Sequence, residues 1–104
     1  MARLTYRPRF TVDLDEIYDY YAQYSEERAI DLIVRLEEVV FLIPDNPEIG
    51  TRVDDIAPNL RRFVIDKNYL FFYFYWLNHN EVEAVRMVRA DREDPAGLVD
   101  EALN

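Results

Sequence analysis

Residues 60–77 read LRRFVIDKNYLFFYFYWL, and the rest of the chain is organised around them. The second half, 69–77, is an unbroken run of nine apolar or aromatic residues ending in Trp76 and Leu77. Nine residues is short for a buried helix, and aromatic richness favours a strand. Successive strand side chains point to opposite faces, so such a run needs cover on both sides. It reads as the central strand of a small sheet. Residues 60–65 read as a second strand, joined to the first through Asp66, Lys67 and Asn68, whose polar character suits a hairpin loop. Arg61 and Arg62 are adjacent in that strand, so one must face the helices and the other away.

Toward the N-terminus, Leu4 and Tyr6 read as a short first strand, with Pro8 ending it or marking an edge. Thr11 or Asp13 then opens a helix, with Asp13, Asp15 and Glu16 set against its dipole. Leu14, Ile17, Tyr18, Tyr21 and Tyr24 or Ser25 form its apolar stripe, with the tyrosines Tyr18, Tyr21 and Tyr24 read as core, while Tyr20 falls off that stripe and is a candidate for partner contact. Ser25 is the expected N-cap of a longer helix over 26–43, with Glu26 and Glu27 in its first turn. Two apolar rows on that helix, one through Leu32, Leu36 and Val39, the other through Ala29, Ile33 and Val40, predict broad coverage by the sheet and the first helix. Pro44 and Pro47 stop it, and a long connection through Gly50 leads to the hairpin. A last strand follows over 82–88, where apolar and polar positions alternate only half cleanly. Residues 95–104 read as a polar tail in which Leu98, Val99 and Leu103 suit a short helix or docking segment. The expectation is one α+β domain over 1–104, with its core at about 3–94. Its order is β-α-α-β-β-β, a two-layer arrangement with a helical hairpin packed on a small antiparallel sheet.

The chain has 104 residues, half of them apolar, and no cysteine. It is near the commonest domain size and can bury a core without staples. Disulfides, thiolate metal sites and cysteine nucleophiles are excluded. No segment has membrane-spanning length, so the sequence is read as soluble and cytoplasmic. The net charge of −9 is unevenly placed. Residues 13–55 hold thirteen acids and three bases, net −10, whereas 56–92 hold four acids and six bases, net +2. Such a balance disfavours direct nucleic-acid binding, which depends on neutralising phosphates.

DLDEIYDYYA (13–22), LIPDNPEIG (42–50), LRRF (60–63), NYLFFY (68–73) and VEAVRMVRADRED (82–94) together resemble the RelE/ParE superfamily of toxins from bacterial type II toxin–antitoxin systems, leaning to the ParE branch. The resemblance implies a toxin bound and inhibited by a cognate antitoxin, whose C-terminal helix or strand wraps it in a hetero-oligomer. ParE-like members are associated with poisoning DNA gyrase by protein–protein contact, and RelE-like members with cutting ribosome-bound mRNA. Toxins of this group are often basic and their antitoxins acidic, which this chain does not follow. In the ParE pattern an arginine precedes the central strand, here Arg62. Leu70 stands where a RelE-type arginine would be expected, no Tyr or His follows residue 79, and Lys67 is the only lysine. General acid–base cleavage of RNA therefore lacks its evident players, and no catalytic residue is assigned.

The residues expected to contact target or partner are Tyr20, Arg61, Arg62, Lys67, Arg86 and Arg89. Arg86 and Arg89 would lie on opposite strand faces, which favours salt bridges to the acidic helices over one basic patch. His79, between two asparagines, reads as a solvated turn residue. Asp13, Asp15, Glu16 and Asp19 are accounted for by the helix dipole and solvation, so no metal or cofactor is expected. A RelE-like endonuclease, or a diverged non-toxic antitoxin-binding module, is the alternative reading.

Overall fold

The protein is described as a computed structural model over residues 1–103. Strand β1 (Arg3–Tyr6) leads into helix α1 (Pro8–Ala22) and helix α2 (Glu26–Leu42). A two-residue strand β2 (Thr51–Arg52) precedes β3 (Leu60–Ile65), β4 (Tyr69–Trp76) and β5 (Glu81–Arg89), and helix α3 (Pro95–Leu103) closes the chain. The strands form one sheet in the order β1-β5-β4-β3-β2. The α+β class and the order of the main elements are as expected, and so is β4 at the centre. The sheet is mixed rather than wholly antiparallel, because β1 pairs parallel with β5. Among the described residues no helix is long and apolar enough to cross a membrane.

β4 is buried from Tyr69 to Phe74 because both its faces are covered. Tyr69, Phe71 and Tyr73 point into a core shared with Phe10 of α1 and Leu36, Val39 and Val40 of α2. Leu70, Phe72 and Phe74 point the other way, into a second core with Leu60, Val85, Val88 and Val99. That second face is closed by α3, through Leu98, Val99 and Leu103, and by Val53, Ile56 and Ala57 of the long connection. The core therefore runs beyond residue 94. The short helix or docking segment expected through Leu98, Val99 and Leu103 is formed, and the tail that carries it belongs to the core, since Val99 has no solvent exposure.

The imperfect alternation of the last strand has a physical cause. Phe72 pairs with Arg86 and Tyr73 with Ala84, so Val85 is an extra residue in β5. A bulge of this kind reverses the parity of side chains along the strand. Val82 and Ala84 lie on the α1–α2 side, and after the bulge Met87 takes over that side. Val85 and Val88 both reach the α3 side.

α1 starts at Pro8, three residues before the earliest expected position, with Arg7 extended at the N-cap. Proline fits the first helical position, where its missing N–H removes no bond and its fixed φ is already helical. Pro8 thus ends β1 and begins α1. This places Asp13 in the second turn, and the dipole-and-solvent account of it fails. Asp13 is 3% exposed and Arg86 7%, and they form a bidentate pair with Nε–Oδ2 2.8 Å and Nη2–Oδ1 2.9 Å. Asp13 Oδ2 also accepts the Met87 N–H at 2.9 Å, in the part of β5 that extends past β1. Arg86 Nη1 donates to the Leu98 carbonyl at 3.0 Å. One ion pair thus holds α1, β5 and α3 together. Ser25 caps α2 as expected, its hydroxyl accepting the Arg28 N–H at 3.2 Å.

The connection between α2 and β3 is pinned from the sheet. Tyr73 Oη accepts the Gly50 N–H at 2.9 Å and donates to the Pro47 carbonyl at 2.8 Å. Arg61 Nη1 donates to the Glu48 and Gly50 carbonyls at 3.0 and 2.8 Å. A Cβ on Gly50 would lie 2.6 Å from Tyr73 Oη and 3.1 Å from the Arg62 carbonyl, so only glycine fits.

Two outcomes in urea unfolding follow. Asp13→Asn leaves Arg86 buried without a counter-charge and should cost about 3–5 kcal/mol, whereas Asp15→Asn on the exposed side should stay within about 0.5 kcal/mol. Equal effects would remove the pair from its central place. Gly50→Ala should cost about 1–3 kcal/mol, and less in a Tyr73→Phe background, where the obstructing hydroxyl is gone. A double-mutant cycle with no coupling would contradict the clamp.

Candidate functional site

Three of the expected contact residues meet in one groove. Tyr20 at the C-terminal end of α1, Lys67 at the tip of the β3–β4 hairpin and Arg89 at the end of β5 line an open cavity of about 830 Å³. Tyr21, Tyr69, Arg28 and Asp91 also stand in its wall. Each side chain is placed by local chemistry. Arg28 sits in the first turn of α2, where the Ser25 cap fixes the helix start. Asp66 and Lys67 both have left-handed backbones, φ 52° and 67°, and the Asn68 N–H closes the turn on the Ile65 carbonyl at 3.0 Å. Left-handed residues match the twist of a tight hairpin. Arg35 of α2 then grips Asp66 through two bonds of 2.9 and 3.0 Å, fixing the tip that carries Lys67. Tyr69 and Arg89 are cross-strand partners, and Arg89 is steadied by Asp91 at 3.0 and 3.1 Å.

Three cations, Arg28, Lys67 and Arg89, face one acid, Asp91, in this wall. The groove is locally positive on a molecule of charge −9. Tyr20 stands edge-on to Tyr21 at 5.0 Å and meets Tyr24 at 5.7 Å, so aromatic surface continues past the end of α1 into the α1–α2 turn, where Tyr24, expected in the core, is 74% exposed because the helix stops at Ala22. Burial, and then a hydrogen bond with Tyr21, push the Tyr69 phenol far above its ordinary range. The pair with Asp91 likewise strengthens protonation of Arg89 and lowers the Asp91 carboxyl. A general base works best with a pKa near the operating pH, and these shifts move away from it. The groove offers charged and aromatic side chains for contact.

The other three expected residues lie elsewhere. Arg61 pairs with Tyr73, four residues along β4 from Tyr69, roughly 13 Å at strand spacing. It faces the helices' side and holds the connection to the sheet. Arg62 faces away, beside Phe72 across the hairpin, with its Nε buried and without a hydrogen-bond partner. The opposed orientations are those expected of consecutive strand residues. Arg86 is inside the molecule, held by Asp13, as the salt-bridge reading of the last strand anticipated. Leu70 is core, 9% exposed. His79 is exposed in a turn at the far end of β4 from Lys67. Arg28, Tyr21 and Tyr69 were not singled out as contact residues. Arg28 follows the Ser25 cap by three residues, which placed it in a first turn, but only packing brings that turn beside the hairpin tip.

The chain matches the family described as ParE toxin of type II toxin–antitoxin system, parDE, over residues 4–95. No curated protein matches it. It is similar in fold to a solved structure of the chromosomal ParDE TA system from P. aeruginosa, with TM-score 0.74 and 20% identity, over 88% of this chain and 98% of that one. It is also similar to the isolated E. coli RelE toxin, with TM-score 0.60 and 12% identity, over 100% of both chains.

The raised Tyr69 phenol has a measurable consequence. A fold that favours the neutral form gives stability that is full below the unfolded value, about pH 10, and is lost as pH rises through the folded one. Titration at 295 nm should show late-ionising tyrosines, the latest of which is lost in Tyr69→Phe while that of buried Tyr73 remains. Identical curves for the two proteins would refute the buried Tyr69–Tyr21 arrangement.

Proposed function

The chain belongs to the ParE toxin family of type II toxin–antitoxin systems, and on that footing we propose that it arrests growth by protein–protein contact with DNA gyrase until a cognate antitoxin neutralises it. The family match over residues 4–95 carries this reading. The groove chemistry supports contact rather than catalysis. It offers Lys67, Arg89, Arg28 and tyrosine surface, with the one strongly shifted phenol moved away from neutrality. Arg62, preceding the central strand as in the ParE pattern, is a second contact residue on the opposite face of the sheet. The action is placed in the cytoplasm, where such a target is found.

The test is induced expression without antitoxin, followed by plasmid supercoiling, gyrase-trapped DNA breaks and mRNA ends in the same cultures. Altered topology with trapped breaks and intact mRNA is expected. Lys67→Glu with Arg89→Glu should reduce the trapped breaks about tenfold or more, because charge reversal at a contact surface opposes association. Growth arrest with unchanged topology and new mRNA ends would transfer the protein to the RelE-like reading. Absence of any growth defect would leave a binding module.

A further inference from the structure

Lys67 is the only lysine of the chain, so its side chain and Met1 carry the two primary amines. It stands exposed at the tip of the β3–β4 hairpin, with a left-handed φ of 67° next to the left-handed Asp66. A Cβ in that region crowds the following carbonyl oxygen, so tight hairpin turns ordinarily take glycine, asparagine or aspartate. Asp66 is an ordinary choice for such a turn and Lys67 is not. Backbone outliers of this kind concentrate where a side chain is needed for what it does. The rest of the tip is fixed. Arg35 grips Asp66, and the Ala90 N–H donates to the Asn68 carbonyl at 2.8 Å, which brings the end of β5 alongside the turn.

The surroundings of the amine suit an anion. Arg28 of α2 and Arg89 of β5 line the same cavity as Lys67, and Asp91 holds Arg89 at 3.0 and 3.1 Å. Arg28, Lys67 and Arg89 set against Asp91 leave this wall with an excess of positive charge. A small anion gains from that field. A long polyanion would leave the groove and meet the region 13–55, which carries net −10. Guanidinium groups bind phosphate through paired, charge-assisted hydrogen bonds. An amine beside two positioned arginines can therefore receive an electrophile whose leaving group is a phosphate, since the bound anion sets the carbonyl near the nucleophile.

We propose that Lys67 is a modification site, acylated by an acyl phosphate whose phosphate end rests on Arg28 and Arg89. The free-base form of Lys67 Nζ attacks the carbonyl carbon and the C–N bond forms. The C–O bond to phosphorus-bearing oxygen breaks, inorganic phosphate leaves with the electron pair, and the nitrogen gives its extra proton to water. Lys67 becomes a neutral amide, and the groove loses a cation. Lys67 belongs to neither core, so the fold is unaffected. Resting on the function proposed above, the lost charge weakens contact with the target, and acylation then lowers the activity of the chain.

The full chain treated with acetyl phosphate near neutral pH, and followed by intact mass and peptide mapping, tests this with Met1 as internal standard. An α-amine titrates at about 7.7–8.0 and a lysine side chain at about 10.4, so unassisted acylation falls first on the α-amine. Met1 is 88% exposed and open to reagent. Lys67 is nevertheless expected to react at least as fast. Arg28→Gln with Arg89→Gln, both at exposed positions, should slow Lys67 about tenfold and leave Met1 unchanged. Added inorganic phosphate should slow Lys67 alone. Met1 reacting ahead of Lys67, or a Lys67 rate indifferent to the two substitutions, overturns the proposal. The consequence is read separately by induced expression. Lys67→Gln, a neutral stand-in for the acylated residue, should lower the gyrase-trapped breaks severalfold, while Lys67→Arg keeps them. Unchanged breaks in Lys67→Gln would remove the regulatory step and leave the modification site. No breaks with the unsubstituted chain would remove the target reading, and the acylation result would still decide the site.

Discussion

The fold depends on the buried pair between Asp13 and Arg86. Two charges taken out of water are tolerated only when every remaining donor and acceptor is engaged. Here Asp13 receives the Arg86 guanidinium, the Met87 N–H and, at 3.3 Å, Arg9, while Arg86 also reaches the Leu98 carbonyl. The pair does three structural tasks. It satisfies β5 where β1 no longer covers it, fixes the height of α1 on the sheet edge, and ties α3 to the opposite face. Apolar packing alone is permissive about such register, whereas a bidentate bond is not.

Around that fixed point the sheet is a wall between two cores. β4 supplies alternate side chains to each, and its rings continue from one strand position to the next, with Phe71 stacked on Tyr73 at 5.2 Å and Phe74 on Trp76 at 4.6 Å. The bulge at Val85 lets β5 serve both cores while keeping Arg86 in line with Asp13. The Gly50–Tyr73 bond then uses a core phenol to hold the near end of the long connection, whose far end is held by Val53, Ile56 and Ala57.

The surface divides by charge. A positive groove with tyrosine walls lies where α1, α2, the hairpin tip and the end of β5 converge. The outer side of α2 is negative and carries an apolar row. A net charge of −9 is the sum of these unlike parts, so it says little about either surface taken alone.

Several features were legible from the sequence because their causes are local. The run 69–77 demanded cover on both faces, Asp66–Lys67–Asn68 suited a hairpin, Ser25 before two glutamates marked a helix start, and consecutive arginines had to face opposite ways. The order of motifs was enough to place the chain in the RelE/ParE superfamily. Pro8 was also a local signal, since proline can begin a helix as well as end a strand, and its second role decided where α1 starts. Tertiary structure alone decided the rest. Asp13 meets Arg86 across 73 positions of chain, and nothing near either residue marks it as buried. The bulge at Val85 appeared in sequence only as a faulty alternation, because the parity of a strand is set by the neighbour it pairs with. Val99 became core, with half-buried Leu98 and Leu103 packed beside it, because the even-numbered face of β4 was open to the docking segment they form. Six expected contact residues separated into a groove, a clamp, a buried pair and an opposite face, since spacing along the chain does not specify which ends of the elements converge. Local patterns determine which elements form and which sides are apolar, but the contacts that join those sides belong to the folded chain.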